Sequence, residues 1–185
     1  MRKINGVPTE ASTKLSSLSG GEVLKWDAST GNMTWEDQDA FALTPFTFQG
    51  SNYGYSLGGD GSANNIEKFA FASAGNASNV ADLTRSVNSI AGTLSVTHGY
   101  SIGGASSNVI DRFTFAADAN SADVANLTVA RYGPAGISAI AYGYAMGGGE
   151  PTTNIIEKFN FSSGADATDV GDITQVRRGI GGCQI

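Results

Sequence analysis

The stretch GYSLGG at 54–59, followed by IEKFAF at 66–71, decides the fold because it recurs twice along the chain. The second copy reads GYSIGG from Gly99 with IDRFTF at 110–115. The third reads GYAMGG from Gly143 with IEKFNF at 156–161. The copies start 45 and 44 residues apart (54, 99 and 143). Self-similarity at a fixed period of this length indicates a repeat protein.

Each copy contains four short apolar segments. They are rich in Val, Ile, Phe, Thr and Tyr and are separated by Gly, Asn, Asp and Ser, which is typical of strands joined by turns. No window shows a sustained helical period of apolar residues. Four strands in about 45 residues is the size of one propeller blade. We therefore predict an all-β fold in residues 41–185, with repeats at about 41–84, 85–128 and 129–174 and a partial repeat at 175–185.

Double glycines and phenylalanines recur at fixed places in the repeat. A double glycine at a strand end lets the chain turn and lets a neighbouring backbone approach closely. Alternation places the acid of each aromatic strand on the same side as its phenylalanines. We expect these acids (Glu67, Asp111 and Glu157) to pair between blades with arginines such as Arg131 or Arg177. The residues with structural roles are Gly58, Gly59, Gly103, Gly104, Gly147, Gly148, Phe69, Phe113 and Phe159.

The segment between the double glycine and the aromatic strand differs in length from copy to copy. Variable length is typical of a surface loop, and loops on a rigid scaffold often carry binding residues. The predicted loops span 60–65, 105–109 and 149–154. Their candidate ligand-binding residues are Asp60, Asn64, Ser106, Asn108, Glu150 and Thr152.

Residues 1–40 do not take part in the repeat. The string GEVLKWDASTGNMTWED at 21–37 predicts a β-hairpin, because alternating residues flank a segment with turn chemistry. Trp26 and Trp35 could then pair across the two strands. A lone hairpin is marginally stable in water, so we expect it to pair with another chain or with another part of a particle. The polar segment before it predicts an extended arm.

The order of Gly-Tyr, apolar residue, Gly-Gly, loop and acid-basic-aromatic strand resembles a kelch-type blade. It resembles more closely the degenerate kelch-like repeats in virion proteins of tailed, notably marine, bacteriophages. The resemblance covers about residues 41–185 and includes Arg131 and Arg177. It departs from kelch repeats in having Val80, Val124 and Val170 near the place of the usual Trp, and Val87 in place of the arginine in the first copy.

The resemblance implies a virion structural protein, assembled in the host cytoplasm, of the tail fibre or tail tip. Its partners would be other virion proteins and a host surface glycan or protein receptor, held by the blade loops. A capsid decoration or head-fibre protein is the alternative, and a glycan-active enzyme on a propeller scaffold is a third reading. The first 40 residues resemble short modules near the attached ends of phage fibre and tail proteins.

Three blades cannot close a propeller, which has roughly four to eight. The terminal repeats would leave raw edges, which proteins usually cover or pair. We therefore expect either a homo-oligomer, for example a trimer, that completes its ring with blades of other copies, or a longer gene product. The segments Phe46–Gly50 and Arg178–Ile185 are candidates for this pairing.

The composition and the candidate residues argue against several kinds of function. Its net charge of −6 argues against a nucleic-acid partner, and its apolar runs are too short for membrane insertion. The lone His98 stands where other copies have Tyr53 and Tyr142, which indicates packing. The Asx triplets (Asn76-Asn79-Asp82, Asn120-Asp123-Asn126 and Asp166-Asp169-Asp172) suit turn caps better than calcium. We therefore predict no enzyme activity, no catalytic residue, no metal and no cofactor.

Overall fold

The computed structural model describes residues 22–27, 30–37, 52–61 and 63–184. These residues form antiparallel strands and contain no helix, which confirms the all-β prediction. A helix of the length and apolarity needed to cross a membrane is likewise not found in this part of the chain.

The predicted N-terminal hairpin is present. Strand β1 (Glu22–Asp27) pairs with β2 (Asn32–Asp37) in an antiparallel register. Trp26 is paired with Met33 and Trp35 with Leu24, so the two tryptophans are not directly opposite each other. The hairpin belongs to a compact unit of residues 1–48, separate from the unit of residues 49–185. The predicted arm lies outside the described residues.

Residues 52–184 form three sheets whose strands pair in chain order. The first sheet contains β3 (Tyr53–Gly59), β4 (Ala63–Ala70) and β5 (Ser78–Asp82). The second contains β6 (Ala91–Leu94), β7 (His98–Ile102), β8 (Ser107–Thr114) and β9 (Ala122–Arg131). The third contains β10 (Ala135–Ser138), β11 (Tyr142–Met146), β12 (Ile155–Asn160) and β13 (Thr168–Asp172).

The second and third sheets each have the four strands that the repeat predicts. The first sheet has three among the described residues, and the candidate strand Phe46–Gly50 lies outside them. Within residues 52–184 the three sheets form no closed ring. Two predicted loops are shorter than expected, because β4 already begins at Ala63 and β8 at Ser107.

The Gly-Tyr motif has a steric cause. A Cβ added to Gly99 would lie 2.3 Å from Cζ of Phe113, its cross-strand partner in β8. Gly54 has the same relation to Phe69, and Gly143 to Phe159. The tip of each phenylalanine ring therefore occupies the space that a Cβ would fill at the glycine, and no larger residue fits at that place.

The core lies between neighbouring sheets rather than within one sheet. One cluster joins the first and second sheets and includes Ile66, Leu83, Val87 and Phe113. The other joins the second and third sheets and includes Tyr100, Ile110, Ala145 and Phe159. Each sheet therefore buries its apolar side chains only by stacking on the next, as in other repeat architectures.

One aromatic contact recurs in both clusters. The ring of Tyr100 stacks on Phe161 with 4.9 Å between centroids and meets Phe159 at 5.5 Å. One repeat earlier, Tyr55 stacks on Phe115 at 5.3 Å and meets Phe113 at 5.2 Å. Such pairs add about 0.5–1.5 kcal/mol beyond the area that they bury. The tyrosine of one sheet thus packs against the phenylalanine pair of the following sheet.

The first strands of successive sheets approach each other closely. A Cβ added to Gly136 in β10 would lie 2.4 Å from the carbonyl oxygen of Gly92 in β6. A Cβ added to Gly182 would lie 2.7 Å from the carbonyl oxygen of Gly136. Residues 181–184, here called the C-terminal segment, therefore lie against β10 as β10 lies against β6. Gln184 secures this placement, since its Oε1 accepts a hydrogen bond from Ser138 N at 3.0 Å.

We expect Gly136→Ala to destabilise the protein by about 1–3 kcal/mol, because its methyl group would overlap backbone that cannot move aside. Urea unfolding of the purified chain measures this loss. Gly75→Ala, in a turn where an added Cβ meets only Ser73 Oγ at 3.7 Å, is the matched control and should be nearly neutral. Equal stability of the two variants would contradict the close approach of the strands.

Candidate functional site

Loops and linkers of different sheets meet at one end of the three-sheet unit. The loop after β7 contacts the linker after β5, where Ala105 N donates to Asn88 O at 3.1 Å. The loop after β11 contacts the linker after β9, since Gly149 and Tyr132 exchange two backbone hydrogen bonds of 2.7 and 2.8 Å. Neighbouring repeats thus bring their connecting segments together.

Three equivalent linker residues form a hydrogen-bonded chain across the sheets. Gly133 N donates to Ser89 O at 2.8 Å, and Gly179 N donates to Gly133 O at 3.0 Å. All three residues have left-handed backbone angles, with φ of 52°, 62° and 65° in chain order. The three linkers therefore change direction in the same way, and backbone hydrogen bonds join each linker to the next.

A depression of about 340 Å³ lies on these linkers. Its lining includes Tyr132, Pro134 and Arg178, together with Ile90 and Ile180. Aromatic and apolar surface beside a few polar groups is the usual composition of a small-molecule site. This depression is one candidate binding site among the described residues.

The candidate loop residues fall into two groups. Ser106 and Glu150 come together, because Ser106 Oγ donates to Glu150 Oε2 at 3.3 Å. Arg178 Nη1 lies 3.5 Å from Glu150 Oε1, so these two loop residues reach the rim of the depression. Asp60 and Thr152 are exposed in turns and have no hydrogen bond or ion pair of their side chains among the described residues.

The two remaining candidates lie in strands rather than loops. Asn108 is in β8, and its Nδ2 donates to Leu127 O at 3.3 Å, which ties it to its own sheet. Asn64 is in β4, and its backbone oxygen accepts from Leu83 N at 2.6 Å. Both residues are half-buried and make contacts that hold a sheet together.

The double glycines have the predicted geometry. Gly103 and Gly104 have φ of 61° and 84°, and the pairs Gly58-Gly59 and Gly147-Gly148 are also left-handed. Gly104 N donates to Arg131 O at 2.9 Å, and a Cβ added to Gly104 would lie 2.5 Å from Asn88 O. The pairs thus combine a turn with a close backbone contact to a linker.

A buried ion pair links the second and third sheets. Arg131 and Glu157 are both fully buried and form a salt bridge. Arg131 Nη1 also donates to Gly147 O at 2.9 Å and to Ile155 O at 3.3 Å. Burial lowers the pKa of Arg131, and the charge of Glu157 opposes this effect. The pairing of this acid with Arg131 is as the sequence predicted.

The pair between the first and second sheets uses an arginine that the sequence analysis missed. Arg85 Nη1 donates to Asp111 Oδ2 at 2.9 Å, and its Nη2 donates to Gly103 O at 2.9 Å and Val109 O at 3.2 Å. These acceptors are the equivalents of those around Arg131. Arg85 stands two residues before the position of Val87, so strict alignment of the repeats hid it. One signal in the sequence was available: Asp111 is shorter than Glu67 and Glu157, which indicates that its arginine reaches it from a different position.

The Asx triplets also connect sheets. Asp82 N donates to Asn120 Oδ1 at 2.9 Å, and Asn126 N donates to Asp166 Oδ1 at 2.8 Å. In the second and third repeats, the first Asx therefore caps the backbone of the third Asx of the preceding repeat. The side-chain oxygens satisfy strand ends, which is the structural role expected of Asx residues near turns.

No catalytic constellation is evident in the part of the chain that the structure describes. His98 is half-buried and its Nδ1 lies 2.8 Å from Thr97 Oγ1. Burial lowers the pKa of His98, and the nearby Arg112 adds to this effect. Within the described ranges, no group of three His, Cys, Asp or Glu side chains could hold a metal ion.

We expect Arg131→Ala to cost about 3–5 kcal/mol of unfolding free energy, because it leaves Glu157 buried without a counter-charge. Urea unfolding monitored by circular dichroism measures this loss of stability. Arg178→Ala, which breaks only the exposed pair with Glu150, is the control and should change stability by less than about 1 kcal/mol. Similar values for both variants would refute the structural role of the buried pair.

Comparison of the chain with known proteins finds no protein-family model that matches it and no curated protein that is similar to it.

Proposed function

We propose that this protein is a structural component of a tailed-phage virion, located in the tail fibre or tail tip. Its three sheets would be propeller-like blades that carry binding loops. The observation that supports this proposal is that the buried charged residues connect neighbouring sheets. Asp111, Arg131 and Glu157, the buried charged residues of the described chain, all join one sheet to the next. The interior thus serves stacking, and the exposed loops remain for recognition.

The end of the three-sheet unit at which the loops and linkers meet, here called the loop end, would contact the host surface. Tyr132 and Ile90 offer apolar surface in the depression, and Arg178 and Glu150 offer charged and hydrogen-bonding groups at its rim. A sugar has both apolar C–H faces and hydroxyl groups, so this combination suits a surface glycan. Tyrosine is well adapted to such contacts because it joins a large apolar ring to a polar hydroxyl.

The N-terminal hairpin would attach the protein to the particle. It forms its own pair of strands and belongs to a compact unit distinct from the three sheets. A two-stranded hairpin gains stability when it pairs with further strands. Neighbouring virion proteins would supply those strands.

Mass spectrometry of purified phage particles, combined with immunogold electron microscopy, tests the location. We expect the protein in the particles at low copy number, with gold label at the tail. High copy number with label over the capsid would favour a decoration or head-fibre protein instead. Absence from purified particles would overturn the virion assignment.

Glycan-array binding of the purified full chain tests the loop site. Tyr132→Ala and Arg178→Ala should each weaken binding to the preferred host polysaccharide by about tenfold or more, as expected for residues central to a contact. Ile140→Ala, at an exposed turn outside the depression, is the control and should bind as the wild type does. Equal binding by all four proteins would show that recognition occurs elsewhere.

A further inference from the structure

The two ends of the sheet stack differ in a complementary way. The phenylalanine pair faces a preceding sheet in the second and third sheets, where Phe113 and Phe159 are 4% and 3% exposed. In the first sheet the equivalent Phe69 is 38% exposed and Phe71 is 54% exposed. These two rings already meet edge to face at 5.5 Å, as the buried pairs do. We call the surface of Glu67, Phe69, Phe71 and Asn76 the leading face.

The third sheet ends in the groups that such a surface would receive. Tyr144 is the equivalent of Tyr55 and Tyr100, but no aromatic partner packs on it among the described residues. Val170 is 48% exposed, whereas the equivalent Val80 and Val124 pack against the inter-sheet clusters. We call the surface of Tyr144, Val170, Asp172 and Arg177 the trailing face.

Charge follows the same pattern. Arg177 is the repeat equivalent of Arg131, and Glu67 is the equivalent of Glu157. Arg131 and Glu157 are fully buried against each other, whereas Arg177 is exposed and Glu67 half-buried. Neither side chain forms an ion pair with another described residue. The trailing face thus carries the cation, and the leading face the anion, of one further inter-sheet pair.

The hydrogen-bonding groups of the Asx contact are divided in the same manner. Between sheets, the first Asx of one repeat accepts from the backbone N–H of the third Asx of the preceding repeat. Asn76 on the leading face is a first Asx with an exposed side chain, and Asp172 on the trailing face is a third Asx. A hydrogen bond from the backbone N–H of Asp172 in one copy to the side chain of Asn76 in another would repeat the contacts of Asn120 with Asp82 and of Asp166 with Asn126.

The edge of β3 and the C-terminal segment could pair with each other. The first sheet lacks, among the described residues, the counterpart of β6 and β10 beside β3. The C-terminal segment lies where the first strand of a further sheet would lie, and among the described residues no second strand of such a sheet pairs with it. By the registers of β6 with β7 and β10 with β11, the segment would pair with β3, setting Gly182 opposite Ser56 and Cys183 opposite Tyr55.

We infer that the trailing face and C-terminal segment of one copy dock on the leading face and β3 of a second copy. Tyr144 packs on the Phe69–Phe71 pair, Arg177 pairs with Glu67, and the C-terminal segment becomes the fourth strand of the second copy's first sheet. The contact is head to tail, so it forms a ring if the rotation between copies closes and an open filament if it does not, and we propose the ring. Two copies supply six sheets, within the roughly four to eight blades of closed propellers. The inference does not depend on the virion role.

A charge swap tests the contact with sedimentation velocity and native mass spectrometry of the full chain. We expect Arg177→Glu and Glu67→Arg each to shift the wild-type dimer to single chains, because each places like charges together. An equimolar mixture should restore a dimer with one copy of each variant, since both of its interfaces regain opposite charges. Arg178→Glu, the same charge change at the adjacent residue, is the control and should remain dimeric.

Gly92→Ala provides a test that does not disturb the single chain. An added Cβ at Gly92 meets no atom of the described residues within 4 Å, but in the ring it would face the carbonyl oxygen of Gly182 from the other copy, as Gly136 faces Gly92. We expect unchanged unfolding of the dilute single chain and dimer dissociation at least about tenfold stronger, because overlap with backbone is costly. Val96→Ala, in an exposed turn, should leave dissociation unchanged.

The lone cysteine reports the strand pairing directly. Cys183 is exposed in the single chain, and strand pairing with β3 would cover it. Alkylation of Cys183 should be slower by about tenfold or more in the wild-type dimer than in Arg177→Glu, because reaction then requires local opening. A monomeric wild type, association unaffected by either charge variant, or equal alkylation rates would each overturn the inference.

Discussion

The structure depends on the contact between one sheet and the next, in which a tyrosine packs on a phenylalanine pair and an arginine reaches a buried acid. Tyr100 meets Phe159 and Phe161 beside the pair of Arg131 and Glu157. A sheet of three or four short strands has too little apolar surface to be stable alone, so it gains its core from its neighbour. The same contact, repeated at a fixed interval, accounts for the conserved spacing of the aromatic and charged residues within this chain.

Glycine makes the contact sterically allowed. The phenylalanine rings lie over the glycines of the Gly-Tyr motifs, which frees the opposite side of the strand for the tyrosine. The first strands of successive sheets approach closely at Gly92, Gly136 and Gly182. In the linkers between sheets, Ser89, Gly133 and Gly179 have left-handed backbone angles. Backbone hydrogen bonds between these residues join the linkers to one another. The abundance of glycine thus reflects close packing of backbone rather than flexibility.

Because the chain is built from a directional contact, its two ends cannot be alike. One end of the described sheet stack has two exposed phenylalanines and a half-buried glutamate, and the other has a half-buried tyrosine with an exposed valine and arginine. The equivalent phenylalanines are buried or partly buried at the internal repeat positions, which supports the proposed docking of a second copy on this face. The depression at Tyr132 and Arg178 is lined by linker residues that belong to neither face, so the proposed docking would not cover it.

The sequence by itself determined the period, the all-β class and the N-terminal hairpin, and it predicted that the acids of the aromatic strands pair between sheets with arginines such as Arg131 or Arg177. These follow from local patterns that repeat, and a repeat shows its own alignment. Only the tertiary structure decided which arginine serves Asp111, that Asn64 and Asn108 lie in strands, and that the Asx residues cap a neighbouring repeat. Arg85 reaches its acid from a shifted position because a long flexible side chain can place the same guanidinium from either of two backbone sites, and spacing along the chain does not record that reach.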